Sequence, residues 1–166
     1  MPGLRYVDPH ERRGRLYFAI ARLSATRFGA WFSINVAWKL DPFLLRRTGG
    51  RFSTAGPLAT ALLESTGART GLPRRNATLY FHDGERVTII ASKRGWPTHP
   101  AWYYNLLEHP DIVYGGMPFH AELVKDETER RRLWDLADRV FPEYVDYREQ
   151  AGKAGRVIPI FQLVPR

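Results

Sequence analysis

Residues 76–107 read NATLYFHDGERVTIIASKRGWPTHPAWYYNLL, and their pattern decides the fold. Residues 76–81 and 85–91 are rich in β-branched and aromatic side chains, and Asp83-Gly84 between them signals a tight hairpin. The second strand ends at Ser92 and Lys93. A loop with Gly95, Pro97 and Pro100 follows, and a short helix starting at Pro100 carries Trp102, Tyr103, Tyr104 and Asn105. Proline suits a first helical position, where its missing N–H would have no partner anyway, and Thr98 or His99 could cap that start. A strand end, a donor-bearing loop and an aromatic helix make a wall for a flat ligand with polar edges. The same residues also suit an ordinary connection with its aromatics in the core.

Working outward, residues 58–65, 111–114, 119–124 and 157–164 read as further strands, with a turn at Gly115-Gly116. Residues 128–140 place Leu133, Trp134, Leu136, Ala137 and Val140 at helical spacing. Pro142 opens a second helix over 143–150, and Gly152 and Gly155 release the chain into the last strand. Six short strands joined mostly by hairpins predict an α+β fold, with a mainly antiparallel sheet closed or half-closed into a small barrel. No GxGxxG follows a strand, so a dinucleotide-binding α/β fold is not expected.

The N-terminal side differs in character. Residues 1–51 hold ten basic and three acidic side chains, whereas the remaining chain holds fifteen and fourteen. Residues 12–40 intersperse Leu16, Phe18, Ile20, Leu23, Phe28, Trp31, Phe32, Ile34, Val36 and Trp38 with Arg22, Arg27 and Lys39. No run reaches the roughly 20 apolar residues of a membrane-spanning helix. One or two amphipathic helices are expected, suited to packing across a sheet or to lying in a membrane interface. Asp41-Pro42, with Asp41 as N-cap, opens a short helix that Gly49-Gly50 ends. The chain therefore divides into a basic helical arm, residues 1–56, and a barrel, residues 57–166. Such an arm favours anionic membranes, nucleic acid or an acidic partner. With no zinc-finger, basic-zipper or helix-turn-helix pattern, nucleic acid is not expected, and weak association of residues 12–40 with an anionic membrane is. The absence of cysteine fits a reducing cytoplasm, and the five histidines lack metal-ligand spacing.

The most specific polar stretch is residues 66–75, TGARTGLPRR. Its glycines allow backbone N–H groups to converge on an anion, and Arg69, Arg74 and Arg75 add charge suited to phosphate or carboxylate. No GK[ST] follows, so it is not a P-loop, and a solvated basic hairpin would read alike. Ser92 and Lys93 end a strand beside it. In residues 141–147, FPEYVDY, Tyr144 and Tyr147 lie three apart on one helical face and could close over a planar ligand or simply pack in the core.

TGARTGLPR, YFHDGERVTIIASKRGWPTHPAWYYNLLEHPDI, FPEYVDY and RVIPIFQL, in this order, resemble the deazaflavin (F420)-dependent nitroreductase and quinone reductase family over about two thirds of the chain. The resemblance implies a split β-barrel like that of FMN-binding oxidases. It also implies hydride transfer from reduced coenzyme F420 to a quinone, enone or nitroaromatic acceptor in a cytoplasmic enzyme, at most peripheral at the inner membrane face. By position it assigns Ala68, Arg69 and Thr70, with Arg74, Arg75, Asn76, Thr78 and Leu79, to the coenzyme's phosphate and polyglutamate tail. Ala91, Ser92 and Lys93 fall beside the ring, with Ala101, Trp102 and Asn105 on the flanking helix. Ser92, Tyr144 and Tyr147 are expected at the reacting centre, and Phe141, Tyr144 and Tyr147 in the substrate pocket. Phe141 stands where the best-studied pattern has tyrosine, and Ala77 where many members have proline. The alternatives are an FMN-binding split-barrel oxidoreductase and a non-catalytic carrier of a hydrophobic ligand.

Overall fold

The computed structural model describes residues 4–166, without the side chains of residues 25, 27, 30, 33, 34 and 38. Met1, Pro2 and Gly3 of the expected arm lie outside the described residues, as do the side chains of Arg27, Ile34 and Trp38 from its apolar and basic pattern. Six antiparallel strands form a closed barrel: β1 (Thr60–Thr66), β2 (Pro73–Asp83), β3 (Arg86–Ile90), β4 (Asp111–Tyr114), β5 (Met117–Leu123) and β6 (Ile160–Pro165). Their order is β1-β2-β3-β6-β5-β4, and β1 closes on β4 through Leu63↔Tyr114 and Glu64↔Val113. This is the expected α+β split barrel.

Alternation fills the barrel. Leu63, Phe81, Val87, Ile89, Tyr114, Phe119, Ile160 and Leu163 are all essentially inaccessible, and burying a side chain of this size contributes roughly 1.5–3 kcal/mol. Both expected hairpin turns form. Asp83 pairs with Arg86 across Gly84, and Gly115 and Gly116 both take positive φ, as a two-residue hairpin requires.

The helices are α1 (Arg15–Ala25), α2 (Arg27–Phe32), α3 (Trp38–Arg47), α4 (Ala101–Glu108), α5 (Glu127–Val140) and α6 (Tyr144–Lys153), with a π-helical turn at Ser33–Ala37. Asp126 caps α5 by accepting from Glu129 N at 2.8 Å, and the five expected apolar positions are its buried face.

Several boundaries depart from expectation. Helix α3 already includes Asp41 and Pro42, so Asp41 is not its cap. Its buried carboxylate instead accepts from Thr54 N at 2.6 Å and Thr54 Oγ1 at 2.9 Å, pinning the linker to the arm. Pro100 is the N-cap of α4 rather than its first helical residue, and neither Thr98 nor His99 caps it. Strand β2 begins at Pro73, which reduces the basic loop to residues 67–72. Strand β6 begins at Ile160 rather than 157: Pro159 has no N–H to give the ladder, and only its carbonyl continues it, accepting from Ala91 N at 3.0 Å.

The arm packs on the barrel. An extended segment comes first, with Val7 buried and hydrogen-bonded both ways to His82, and with Arg5 O accepting from Tyr80 Oη. Helix α1 buries Ala21 completely and ties Tyr17 Oη to Val140 O at 2.7 Å. Among the described residues no helix is long and apolar enough to cross a membrane.

Candidate active site

A cavity of about 540 Å³ lies between the arm and the barrel. Strand β2 supplies Ala77, Thr78 and Leu79, the loop after β3 supplies Ser92, Lys93 and Arg94, and α4 supplies Trp102. Phe141, Tyr144 and Tyr147 form an aromatic wall at the start of α6, and Ile20, Leu23, Phe28 and Phe32 close it from the arm. Of the residues expected to bind coenzyme or substrate, the cavity therefore brings together Thr78, Leu79, Ser92, Lys93, Trp102, Phe141, Tyr144 and Tyr147.

The aromatic wall is locally dictated. Phe141 caps the end of α5, and Pro142 separates it from α6. Phe141 meets Tyr144 edge-on with centroids 5.0 Å apart, and Trp134 meets Tyr144 at 5.9 Å. Burial pushes the Tyr144 phenol far above its ordinary value, with Tyr147 and Tyr17 adding to the shift, and burial likewise raises Tyr147. Both remain neutral O–H donors at any ordinary pH. Neither hydroxyl, nor that of Ser92, bonds to a described residue. Three free hydroxyls in a mostly apolar hollow can orient a planar ligand with carbonyl edges.

The loop after β3 is strained. Lys93 (φ 44°) and Arg94 (φ 55°) are both left-handed without being glycine, at a cost of roughly 1–3 kcal/mol each. Gly95 follows at φ 75°, so close to α6 that a Cβ would lie 2.7 Å from Tyr147 O. Only glycine fits there. The twist sends Lys93 Nζ to Thr98 Oγ1 (2.7 Å) and Arg94 Nη2 to Ser24 O on the arm (2.8 Å).

Beside this loop sits a residue with no expected role. Arg156 is only 7% exposed and pairs with no carboxylate among the described residues. Its Nη1 donates to Ser92 O (3.0 Å) and Trp96 O (2.6 Å), its Nη2 to Ala91 O, and its Nε to His99 Nδ1 (3.1 Å). Burial lowers the pKa of Arg156 from the ordinary arginine value. Burial, then the charges of Arg156 and Lys93, lower that of His99, which stays neutral and accepts. Sequence reading had one signal, the presence of Arg156 in RVIPIFQL, but a lone arginine before a strand has no periodicity to betray burial.

The basic loop corrects an expectation. Most of its N–H groups do not converge on open space. Gly67 N bonds Leu72 O, Thr70 N and Gly71 N bond Gly67 O, and Ala68 N bonds Asn105 Oδ1 at 3.0 Å. Only Arg69 N is without a bond among the described residues of the loop, so an anion there would rest chiefly on side chains. Arg69 is exposed and makes no hydrogen bond or ion pair among the described residues. Among the described residues Arg74 hydrogen-bonds only Thr70 Oγ1, at 3.2 Å, and Arg75 is held by Glu64 at 2.8 Å. Asn105, one turn along α4 from Trp102, links this loop to the cavity wall. Asn76 lies in β2 opposite Leu63, Ala91 is buried behind the loop, and Ala101 is exposed at the start of α4. None of these three lines the cavity.

The model describing the F420H(2)-dependent quinone reductase family matches residues 40–165. An F420H(2)-dependent quinone reductase of Mycobacterium tuberculosis is 32% identical over 136 residues, 77% of this chain and 89% of that protein. Among solved structures, an F420-H2 dependent reductase (FDR-A) superposes with a TM-score of 0.54 at 29% identity, covering 63% of this chain and 92% of its own. A protein described as a domain-swapped dimer superposes at 0.56 with 27% identity, covering 73% and 94%. The barrel, its aromatic hollow and the order of its motifs thus meet in one conclusion: the chain belongs to the F420H(2)-dependent quinone reductase family.

Proposed function

We propose that the cavity under the arm is where this F420H(2)-dependent reductase brings coenzyme and quinone together. The observation carrying this reading is the set of three hydroxyls, Ser92, Tyr144 and Tyr147, in an apolar hollow with Arg69 on the neighbouring loop, none of them paired among the described residues. The residues suit F420: a flat ring between Trp102 and the aromatic wall, Ser92 at its edge, and an anionic tail on Arg69 and Arg74. When bound, reduced F420 supplies the hydride, and the protein's task is to position and to exclude water. Tyr144, held neutral by burial, is the donor assigned to an acceptor carbonyl. Phe141 offers only an apolar wall, which favours apolar quinones and enones over nitro compounds. Binding of two flat molecules needs a roof, and α1 and α2 supply it.

On this reading the basic arm, residues 1–56, contributes the roof through α1 and α2, and residues 57–166 are the coenzyme-binding barrel. The enzyme is cytoplasmic, and weak contact with the inner face of an anionic membrane is supported by the exposed Leu16 and Trp31, which do not line the cavity, beside Arg12, Arg15 and Arg22. Co-sedimentation with anionic vesicles at low salt, lost at high salt, tests the contact. Parallel fluorescence titrations with F420, FMN and haem test the coenzyme. F420 should bind most tightly, and tighter FMN binding, or no F420 binding, overturns the reading.

A further inference from the structure

The hydrogen-bond ladder between β3 and β6 ends at the pair Ile90↔Ile160, with one more bond from Ala91 N to Pro159 O. Beyond that point the carbonyls of Ala91, Ser92 and Trp96 have no strand beside them. They face one guanidinium, that of Arg156, which also holds His99, the residue before the N-cap of α4. Ser92 O also accepts from Gly95 N at 3.0 Å, whereas Ala91 O and Trp96 O have the guanidinium as their donor among the described residues. Buried backbone carbonyls need donors, and no other side chain offers several in one rigid plane. The loop so held contains the two consecutive left-handed non-glycine residues, Lys93 and Arg94. Strained backbone persists only where its surroundings over-determine it.

We propose that Arg156 is a positioning residue: its guanidinium replaces the missing strand beyond Ile90 and fixes the strained loop 91–99, so that Ser92 and Lys93 meet the coenzyme in one geometry. The claim about the coenzyme rests on the proposed function, whereas the claim about the loop stands on contacts within the chain. Arg156 touches neither the cavity nor the basic loop, so its effect on binding is transmitted through residues 91–96. A lysine would keep the charge but could not reach His99 and three carbonyls at once from a single nitrogen.

The test compares Arg156→Gln and Arg156→Lys with wild type and with Arg132→Gln, which removes a surface ion pair to Asp83 and Glu129 remote from the cavity. Limited trypsin digestion without coenzyme, read by mass spectrometry, should show early cleavage after Lys93 and Arg94 in both Arg156 variants, but not in Arg132→Gln. F420 affinity, by fluorescence titration, should fall about tenfold or more in both Arg156 variants. In Arg156→Ala, added ethylguanidinium should restore affinity and protection where ethylammonium does not. Cleavage no faster than wild type after Lys93 and Arg94 overturns the positioning role. So does wild-type F420 affinity in Arg156→Lys, which keeps the proposal exposed even where the glutamine variant fails to fold. Wild-type protein that does not bind F420 sinks the proposed coenzyme site instead, and the digestion still decides whether Arg156 holds the loop.

Discussion

Residues 67–72 and residues 91–99 are both basic turns at strand ends, and both are tied to α4, yet they use their polar groups in opposite ways. In the first, the backbone is closed on itself and on Asn105, and Arg69 is left free in solvent. In the second, the side chains are engaged, Lys93 with Thr98 and Arg94 with Ser24, and the backbone is pulled into a strained form from behind by Arg156. The first is a rigid mount for mobile charge. The second is a shaped ledge. Affinity for an anionic tail calls for the former, and alignment of a reacting ring calls for the latter.

The sharpest way to break this comparison is to add one methyl group to each turn. Gly95→Ala should cost more than about 2 kcal/mol, because a positive φ is combined with a Cβ driven into the Tyr147 carbonyl. Gly71→Ala has the same sign of φ but open space around it and should cost about 1 kcal/mol. Urea unfolding of both gives the difference, and equal losses would mean that the ledge is no tighter than the mount.

Next comes charge. Arg69→Ala should weaken F420 binding by about 10- to 100-fold, the equivalent of one charge-assisted contact, while stability stays within about 0.5 kcal/mol. Arg75→Ala should do much less to binding, since Arg75 is committed to Glu64. A titration in which the two variants are alike would remove the distinction between free and engaged cations. Ser92→Ala, on the ledge, should lower turnover by up to about tenfold with little change in coenzyme affinity. Equal loss in both would move Ser92 to the mount's side of the comparison.

The smallest effect concerns pH. The folded-state pKa of His99 lies below its unfolded value, so its contribution to stability is complete above the unfolded value near 6.5 and is lost as pH falls through the folded value. The groups facing it are the cations Arg156 and Lys93 and the rings of Tyr103 and Tyr104. Unfolding curves at pH 7 and pH 5 should show wild type losing slightly more stability than His99→Asn. Identical losses would show that the imidazole's acceptor role is not felt at the ledge.

The barrel was largely legible because its signals are local and periodic. Alternation marks the strands, and Asp83-Gly84 and Gly115-Gly116 mark the turns. Leu133 to Val140 mark one face of α5. What escaped depends on contacts far apart in sequence. Asp41 reads as a cap because aspartate before proline usually is one, but here Thr54 recruits it. The glycines of residues 66–75 promise free N–H groups, and only the fold reveals Asn105, 37 positions away, accepting from one of them. Arg156 is the extreme case, a charged residue whose burial no pattern announces. The cavity's aromatic wall could be foreseen from FPEYVDY, whereas the part played by Ile20, Leu23, Phe28 and Phe32 could not, because an amphipathic helix does not declare what its apolar face will cover.

That roof differs from the walls in how it is held. Helices α1 and α2 contribute apolar side chains to the cavity, while their polar ties to the barrel side include Tyr17 to Val140 and Ser24 to Arg94, both made through backbone carbonyls on one side of the bond. Leu23, Phe28 and Phe32 are outside both ties. On the proposed reading, selection can therefore rewrite the roof's inner surface one residue at a time while the ledge and the mount keep their hold on the electron donor. A lineage built on this plan changes what it reduces without relearning what it oxidises.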